Sequence, residues 1–212
     1  MTRIKICGIN DAASFAAAVT AGADYVGFVF FSRSPRHLEG DVAAELAANG
    51  PSGVKRIGLF VDPDNDYLAG AVRAGRLDGI QLHGGEPPER VAAVKAATGL
   101  EVWKAVSVAT RDDIMAARRY AGVADRILFD ARTPEGAELP GGMGVRFDWR
   151  LLAGIVVGAP WGLAGGLDAS TVADAIATTH APLVDVSSGV EVAPGVKLPA
   201  KIREFCEAVR SR

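Results

Sequence analysis

The chain has 212 residues, 49% of them apolar, and a formal net charge of −2 at neutral pH. That is enough chain to bury one substantial core at the size of a single α/β domain, and the charge gives no electrostatic case for nucleic acid or an anionic membrane surface. No apolar run approaches the ~18 residues that cross a bilayer, the first residues lack the pattern of a signal peptide, and two cysteines, Cys7 and Cys206, argue against a disulfide framework or a Cys-based zinc site. A soluble, cytoplasmic protein is expected.

Short apolar, β-branched runs alternate with Ala-rich helical patterns along the whole chain. The strands are expected at Ile4 to Cys7, Tyr25 to Phe31, Arg56 to Val61, Gly79 to Leu82, Glu101 to Val106, Arg126 to Phe129, Trp161 to Ala164 and Leu183 to Val186. Helices are expected near Asp11 to Ala21, Gly40 to Asn49, Asn65 to Ala74, Pro88 to Ala97, Arg111 to Ala121, Phe147 to Leu152, Ala169 to Thr179 and Pro199 to Val209. Eight units in 212 residues leave about 26 residues per unit, close to the minimum for a (β/α)8 TIM barrel with few insertions. An open doubly wound sheet needs fewer strands and more polar alternation at its edges. The expectation is therefore one α/β domain over residues 1–212, folded as a (β/α)8 barrel. Two connections are long: Phe31 to Gly40, and the Gly-rich Asp130 to Arg146. Long Gly-rich connections in compact chains are functional or disordered.

In such a barrel the active site lies at the C-terminal ends of the strands, which converts sequence position into geometry. Cys7, Asp62, His83, Asp130 and Asp185 fall at or near strand ends, with Arg36 slightly further out. Gly165-Gly166 after the seventh strand and Ser187-Ser188-Gly189 after the eighth sit where barrels bind phosphate through backbone N–H groups, although glycines also end strands for conformational reasons. Cys7 is either a small buried hydrophobe or a reactive thiol that nearby Lys5 activates by lowering its pKa. Asp130 closes the apolar run Ile127-Leu128-Phe129. A carboxylate there is either paired, with Arg132 or with the next loop, or used. Facing each other across the mouth, Cys7 and Asp130 would form an acid–base pair for an isomerisation. Arg36 follows Pro35, which holds its guanidinium out; its fork suits a carboxylate or phosphate, and the alternative is a solvated arginine. His83 either bonds within its loop or touches ligand. Whether Asp185 points inward depends on strand alternation. Asp62 and Asp64-Asn65 read as turn and helix cap, Cys206 as core, and the scattered histidines make no metal site.

Seven motifs together resemble the phosphoribosylanthranilate isomerase family of tryptophan biosynthesis, in the family's order and spacing. They are Lys5-Ile6-Cys7-Gly8, Gly27-Phe28-Val29-Phe30 running into Ser34-Pro35-Arg36, Gln81-Leu82-His83-Gly84, Leu128-Phe129-Asp130-Ala131, Gly141-Gly142 before Phe147-Asp148-Trp149, Leu163-Ala164-Gly165-Gly166-Leu167, and Val184-Asp185-Val186-Ser187-Ser188-Gly189-Val190-Glu191. The resemblance implies an Amadori rearrangement without metal or cofactor. Asp130 matches the family's general acid and Cys7 its general base. Arg36 matches the residue facing the anthranilate carboxylate, with His83 as a further substrate-binding position. Asp185 matches an aspartate near the anthranilate nitrogen, and Gly165, Gly166, Ser188 and Gly189 match the phosphate loops. The implied partner is a small phosphorylated substrate, with no nucleic acid or membrane, in a monomer or homodimer. Two departures stand out: Met143 where the family has threonine in Gly-Gly-Thr-Gly, and Leu198, a poor helix cap, after Lys197. Competing expectations are another phosphosugar barrel, which would want a carboxylate pair and metal-binding histidines, and a noncatalytic ligand-binding barrel, which would keep the glycine loops but not acid and base.

Overall fold

The computed structural model of the chain describes every residue except Glu135, Ala137, Glu138, Pro140 and Arg212. The first four belong to the long connection after the sixth strand, so that part of the expected functional loop lies outside the described residues. Eight parallel strands pair in chain order and close on themselves, β8 against β1. They are β1 (Arg3–Cys7), β2 (Tyr25–Phe30), β3 (Lys55–Phe60), β4 (Gly79–Leu82), β5 (Glu101–Val108), β6 (Arg126–Ala131), β7 (Trp161–Leu163) and β8 (Leu183–Val186). Among the described residues, seven helices cross between or after them: α1 (Ala12–Thr20), α2 (Gly40–Asn49), α3 (Asn65–Ala74), α4 (Pro88–Thr98), α5 (Arg111–Ala116), α6 (Val172–Thr179) and α7 (Pro199–Arg210). The expected (β/α)8 barrel is the fold. Among the described residues, no helix is long and apolar enough to cross a membrane.

Local chemistry sets the boundaries. Asp11 accepts the Ser14 N–H and Asp64 the Tyr67 N–H, each satisfying a donor that the first helical turn leaves open. Leu198 gives α7 no side-chain cap, but Pro199 at its first position needs none for its own missing N–H. The apolar side chains form an outer layer, where strands meet helices, and a small cluster of Tyr25, Ile57, Trp103, Ala105, Leu128, Ala164 and Leu183. Tyr25 and Trp103 meet edge to face at 4.9 Å although β2 and β5 are not neighbours, so that cluster fills the barrel's interior.

The structure departs from the sequence reading in the sixth unit and after β8. Where a helix is expected over Phe147 to Leu152, there is one 3-10 turn, Trp149–Leu152, stopped by Gly154 in the left-handed region. The expected helix after β5 is split into α5 and a 3-10 turn, Ala117–Tyr120. β6 extends through Asp130 to Ala131 instead of ending at Phe129. Beyond β8 a 3-10 turn, Ser188–Val190, leads into an unpredicted hairpin of β9 (Glu191–Ala193) and β10 (Val196–Lys197). Strands of three and two residues are too short to show a period.

Candidate active site

The strand ends, the β2 loop and the loop after β6 together line one cavity. Cys7, Arg36, His83, Asp130, Gly165, Gly166, Asp185 and Ser188 all line it. Gly189 does not: its Cα packs against the Leu167 carbonyl so closely that a Cβ would come within 2.0 Å of it.

Strand alternation places Lys5, Cys7 and Asp185 together. Lys5, fully buried, reaches Asp185 Oδ2 at 2.9 Å, which settles that Asp185 points into the barrel. Gly27 on β2 makes room for them: a Cβ there would lie 2.8 Å from Cys7 Sγ and 3.2 Å from Lys5 Nζ. Burial works to lower the pKa of the Lys5 ammonium, but Asp185 and Cys7 outweigh it and hold the ammonium above its ordinary range. For Cys7 the balance runs toward the first of the two sequence readings, the small buried side chain. Burial pushes the thiol up, and the pull of Lys5 and Lys197 does not offset it. Burial thus favours the neutral thiol over the thiolate.

Asp130 is buried at the end of β6, and its Oδ1 accepts the N–H of Ala131 at 2.8 Å. Oδ2 lies 3.3 Å from His83 Nε2, without the alignment of a hydrogen bond. Arg132 pairs with Asp113 instead. Gly141 and Gly165 pack on Asp130 so closely that a Cβ at either would come within 3 Å of a carboxylate oxygen. Both glycines of the β7 turn, Gly165 and Gly166, have positive φ, and a side chain on Gly166 would strike Arg146 and the Val145 carbonyl. The loop after β6 is tied down on both sides, by Arg36 Nη2 to the Gly142 carbonyl at 2.9 Å and by Arg146 to the Gly166 carbonyl and Asp168, each at 2.7 Å. Met143, half-exposed, lies on this loop at the cavity.

Arg36 is buried rather than solvated, and its fork is already occupied. Nε and Nη2 donate to the two carboxylate oxygens of Glu191 at 2.7 Å each, leaving Nη1 for the cavity. Lys197 also donates to Glu191, at 2.7 Å. Burial raises the Glu191 carboxyl's pKa, but Arg36 and Lys197 overcome this and hold it below the usual range. Glu191 ends the last of the family-like motifs and Lys197 precedes Leu198, but the sequence assigns neither a role in the site, because only the β9–β10 hairpin folds them under Arg36. Three further donors and acceptors went unassigned from sequence: Lys5 as a partner of Asp185, and the two amide atoms of Gln81.

The closed barrel and the catalytic-type groups gathered at its C-terminal mouth define a (β/α)8-barrel enzyme. A family model described as N-(5′-phosphoribosyl)anthranilate isomerase matches residues 4–208. The N-(5′-phosphoribosyl)anthranilate isomerase of Paracoccus denitrificans is 58% identical over 202 residues, 95% of this chain and 94% of that protein. The crystal structure of phosphoribosylanthranilate isomerase from Thermotoga maritima superposes with a TM-score of 0.89 at 35% identity, covering all of both chains. A structure of such an isomerase in complex with reduced 1-(o-carboxyphenylamino)-1-deoxyribulose 5-phosphate gives 0.85 at 32% identity, again over the whole of both chains. The chain belongs to the N-(5′-phosphoribosyl)anthranilate isomerase family.

Proposed function

We propose that this chain converts N-(5-phosphoribosyl)anthranilate into 1-(2-carboxyphenylamino)-1-deoxyribulose 5-phosphate, an Amadori rearrangement in tryptophan biosynthesis. The observation that carries the reading is that a buried thiol, Cys7 on β1, and a buried carboxyl, Asp130 on β6, line one cavity beside the glycine turn of β7.

Asp130 donates its proton to the ribose ring oxygen, and the C1′–O bond breaks to give an open-chain Schiff base. The iminium draws electrons, so the C2′–H becomes acidic with no metal required. Cys7 acts after its own proton has passed to solvent: the thiolate takes the C2′ proton and leaves an enolamine, which tautomerises to the ketone. No atoms are gained or lost. Lys5 and Lys197 favour the anion there. Arg36, with its fork committed to Glu191, meets the anthranilate carboxylate through Nη1. The aromatic ring has an apolar wall in Val29, Phe31, Leu59 and Val61. Asp185, held by Lys5, lies near the anthranilate nitrogen, and His83 completes the substrate side beside Asp130. The phosphate binds at the Gly165-Gly166 turn and at Ser188, where backbone N–H groups suit an anion; Gly189, outside the lining, lets the turn pack on Leu167.

The test is to generate phosphoribosylanthranilate in situ and follow the loss of its anthranilate fluorescence. Fast decay with the parent protein and almost none with Asp130→Asn is the expected result. No decay above background with folded parent protein would overturn the reading.

A further inference from the structure

Gln81 sits in the middle of β4, in register with Leu59 on β3 and Trp103 on β5, and lines the cavity while being only 1% exposed. It shares its inward face with His83, two residues on. Neither its Nε2 nor its Oε1 has a hydrogen-bond partner. Trp103, its register partner on β5, turns its indole N–H to Glu101 at 2.7 Å instead. An unpaired buried amide is costly, and buried polar groups in folded proteins are nearly always paired. A leucine or methionine of similar volume would fill the same space without that cost.

The unspent capacity is concentrated. Two other buried side-chain atoms without a partner, His83 Nε2 and Asp185 Oδ1, belong to residues of the same cavity. A primary amide presents one acceptor and one donor group a few ångströms apart. Hydroxyl groups, which donate and accept, complement both. The carboxylate and phosphate ends of the proposed substrate are acceptors only, and its ring is apolar. Only the sugar chain between them offers hydroxyls.

We infer that Gln81 is a substrate-binding residue that grips the hydroxyls of the sugar chain, fixing the carbons beside the reacting C2′ between Cys7 and Asp130. This rests on the proposed reaction. It also explains an amide set deep in a barrel interior: the bonds missing in the free protein are made by the ligand, so the stabilisation appears only in the complex.

The inference is tested with Gln81→Leu and, as a second shape-preserving change, Gln81→Met. Thermal unfolding of both variants is expected at or above the parent's temperature, with kcat/KM on phosphoribosylanthranilate at least tenfold lower and inhibition by inorganic phosphate unchanged. Calorimetry with ribulose 5-phosphate, which keeps the sugar chain without the anthranilate, is expected to show binding weakened about tenfold. A parent protein that binds ribulose 5-phosphate but does not turn over phosphoribosylanthranilate would overturn the reaction and leave the calorimetric arm to judge Gln81. Turnover and ribulose 5-phosphate affinity within twofold of the parent, or unfolding several degrees lower in both variants, would overturn the role of Gln81.

Discussion

The two ends of the barrel handle polar groups in opposite ways. At the N-terminal end, three even-numbered strands are each preceded by an aspartate that exchanges two bonds with one residue of the neighbouring strand. Asp24 gives its N–H to the Ile4 carbonyl and takes the Ile4 N–H on its carboxylate, at 2.9 and 2.8 Å. Asp78 does the same with Arg56, at 2.8 Å both ways, and Asp125 with Val102, at 2.8 and 2.9 Å. Before β8 the pattern changes to Pro182, which only accepts, from Arg3. At the C-terminal end the polar side chains are more deeply buried, yet Gln81, His83 and Asp185 keep atoms unpaired. The base is laced with strand-to-strand bonds, with Arg126 Nε at the start of β6 its exception, while the mouth keeps its unpaired atoms on residues that line the cavity. Substitutions at the mouth are therefore expected to cost activity, and substitutions at the base to cost stability.

The largest separation comes from Cys7→Ala and Asp130→Asn. Each is expected to lower turnover by roughly two or more orders of magnitude, as for loss of a general acid or base, with the unfolding temperature little changed. Steady-state kinetics beside a thermal melt checks this, and near-normal turnover in Cys7→Ala would remove the thiol from the base's role. Arg36→Met should act on both axes, because Arg36 is at once a cavity residue and half of a buried ion pair. We expect KM to rise more than kcat falls, and stability to drop by about 1–3 kcal/mol as Glu191 loses two of its bonds while keeping Lys197. An unchanged KM would count against contact with the substrate carboxylate. Asp125→Ala belongs to the base alone. It removes acceptors for Val102 N–H and Lys95, so we expect a loss of about 1–2 kcal/mol, or roughly 2–8 °C in a chain of this size, with kcat/KM unaltered. A drop in kcat/KM with no change in melting would erase the division between the ends.

The same contrast governs what could be read from the sequence. Strand-ending residues are legible because a parallel barrel turns the last residues of every strand into one mouth, and Cys7, His83, Asp130 and Asp185 are brought there by period and position alone. Helix caps are legible because Asp11 and Asp64 bond within three residues of themselves. Arg36 was readable as a cavity residue but not as the partner of Glu191, which is 155 residues away and reaches it through a hairpin too short to show alternation. The Gln81 amide was hidden for another reason: one polar residue in a four-residue strand is indistinguishable from a surface position until the barrel closes. The two readings of Cys7 could not be separated in the sequence, because Lys5 is visible there while the depth of burial is not.

The two thiols carry the comparison to its smallest effect. Burial pushes Cys206, on α7, up to about 11, and raises Cys7 as well, with Lys5 and Lys197 opposing there. A thiol in an unfolded chain ionises near 8.5. Below that pH both states hold the proton, and the stability from the buried neutral thiol is complete. As pH rises past ~8.5 the unfolded chain loses its proton first, so the unfolded state binds fewer protons and stability falls until the folded thiol ionises too. For Cys206 the window ends near pH 11 and the loss is at most about 3 kcal/mol. Cys206→Val is expected to flatten the alkaline limb of unfolding free energy measured in urea between pH 8 and 11, relative to the parent, while kcat/KM at pH 7.5 stays the same. Cys7→Ala should flatten the limb in the same direction and abolish turnover. If Cys206→Val leaves the limb as steep as in the parent, the burial that separates this core thiol from water has been overstated.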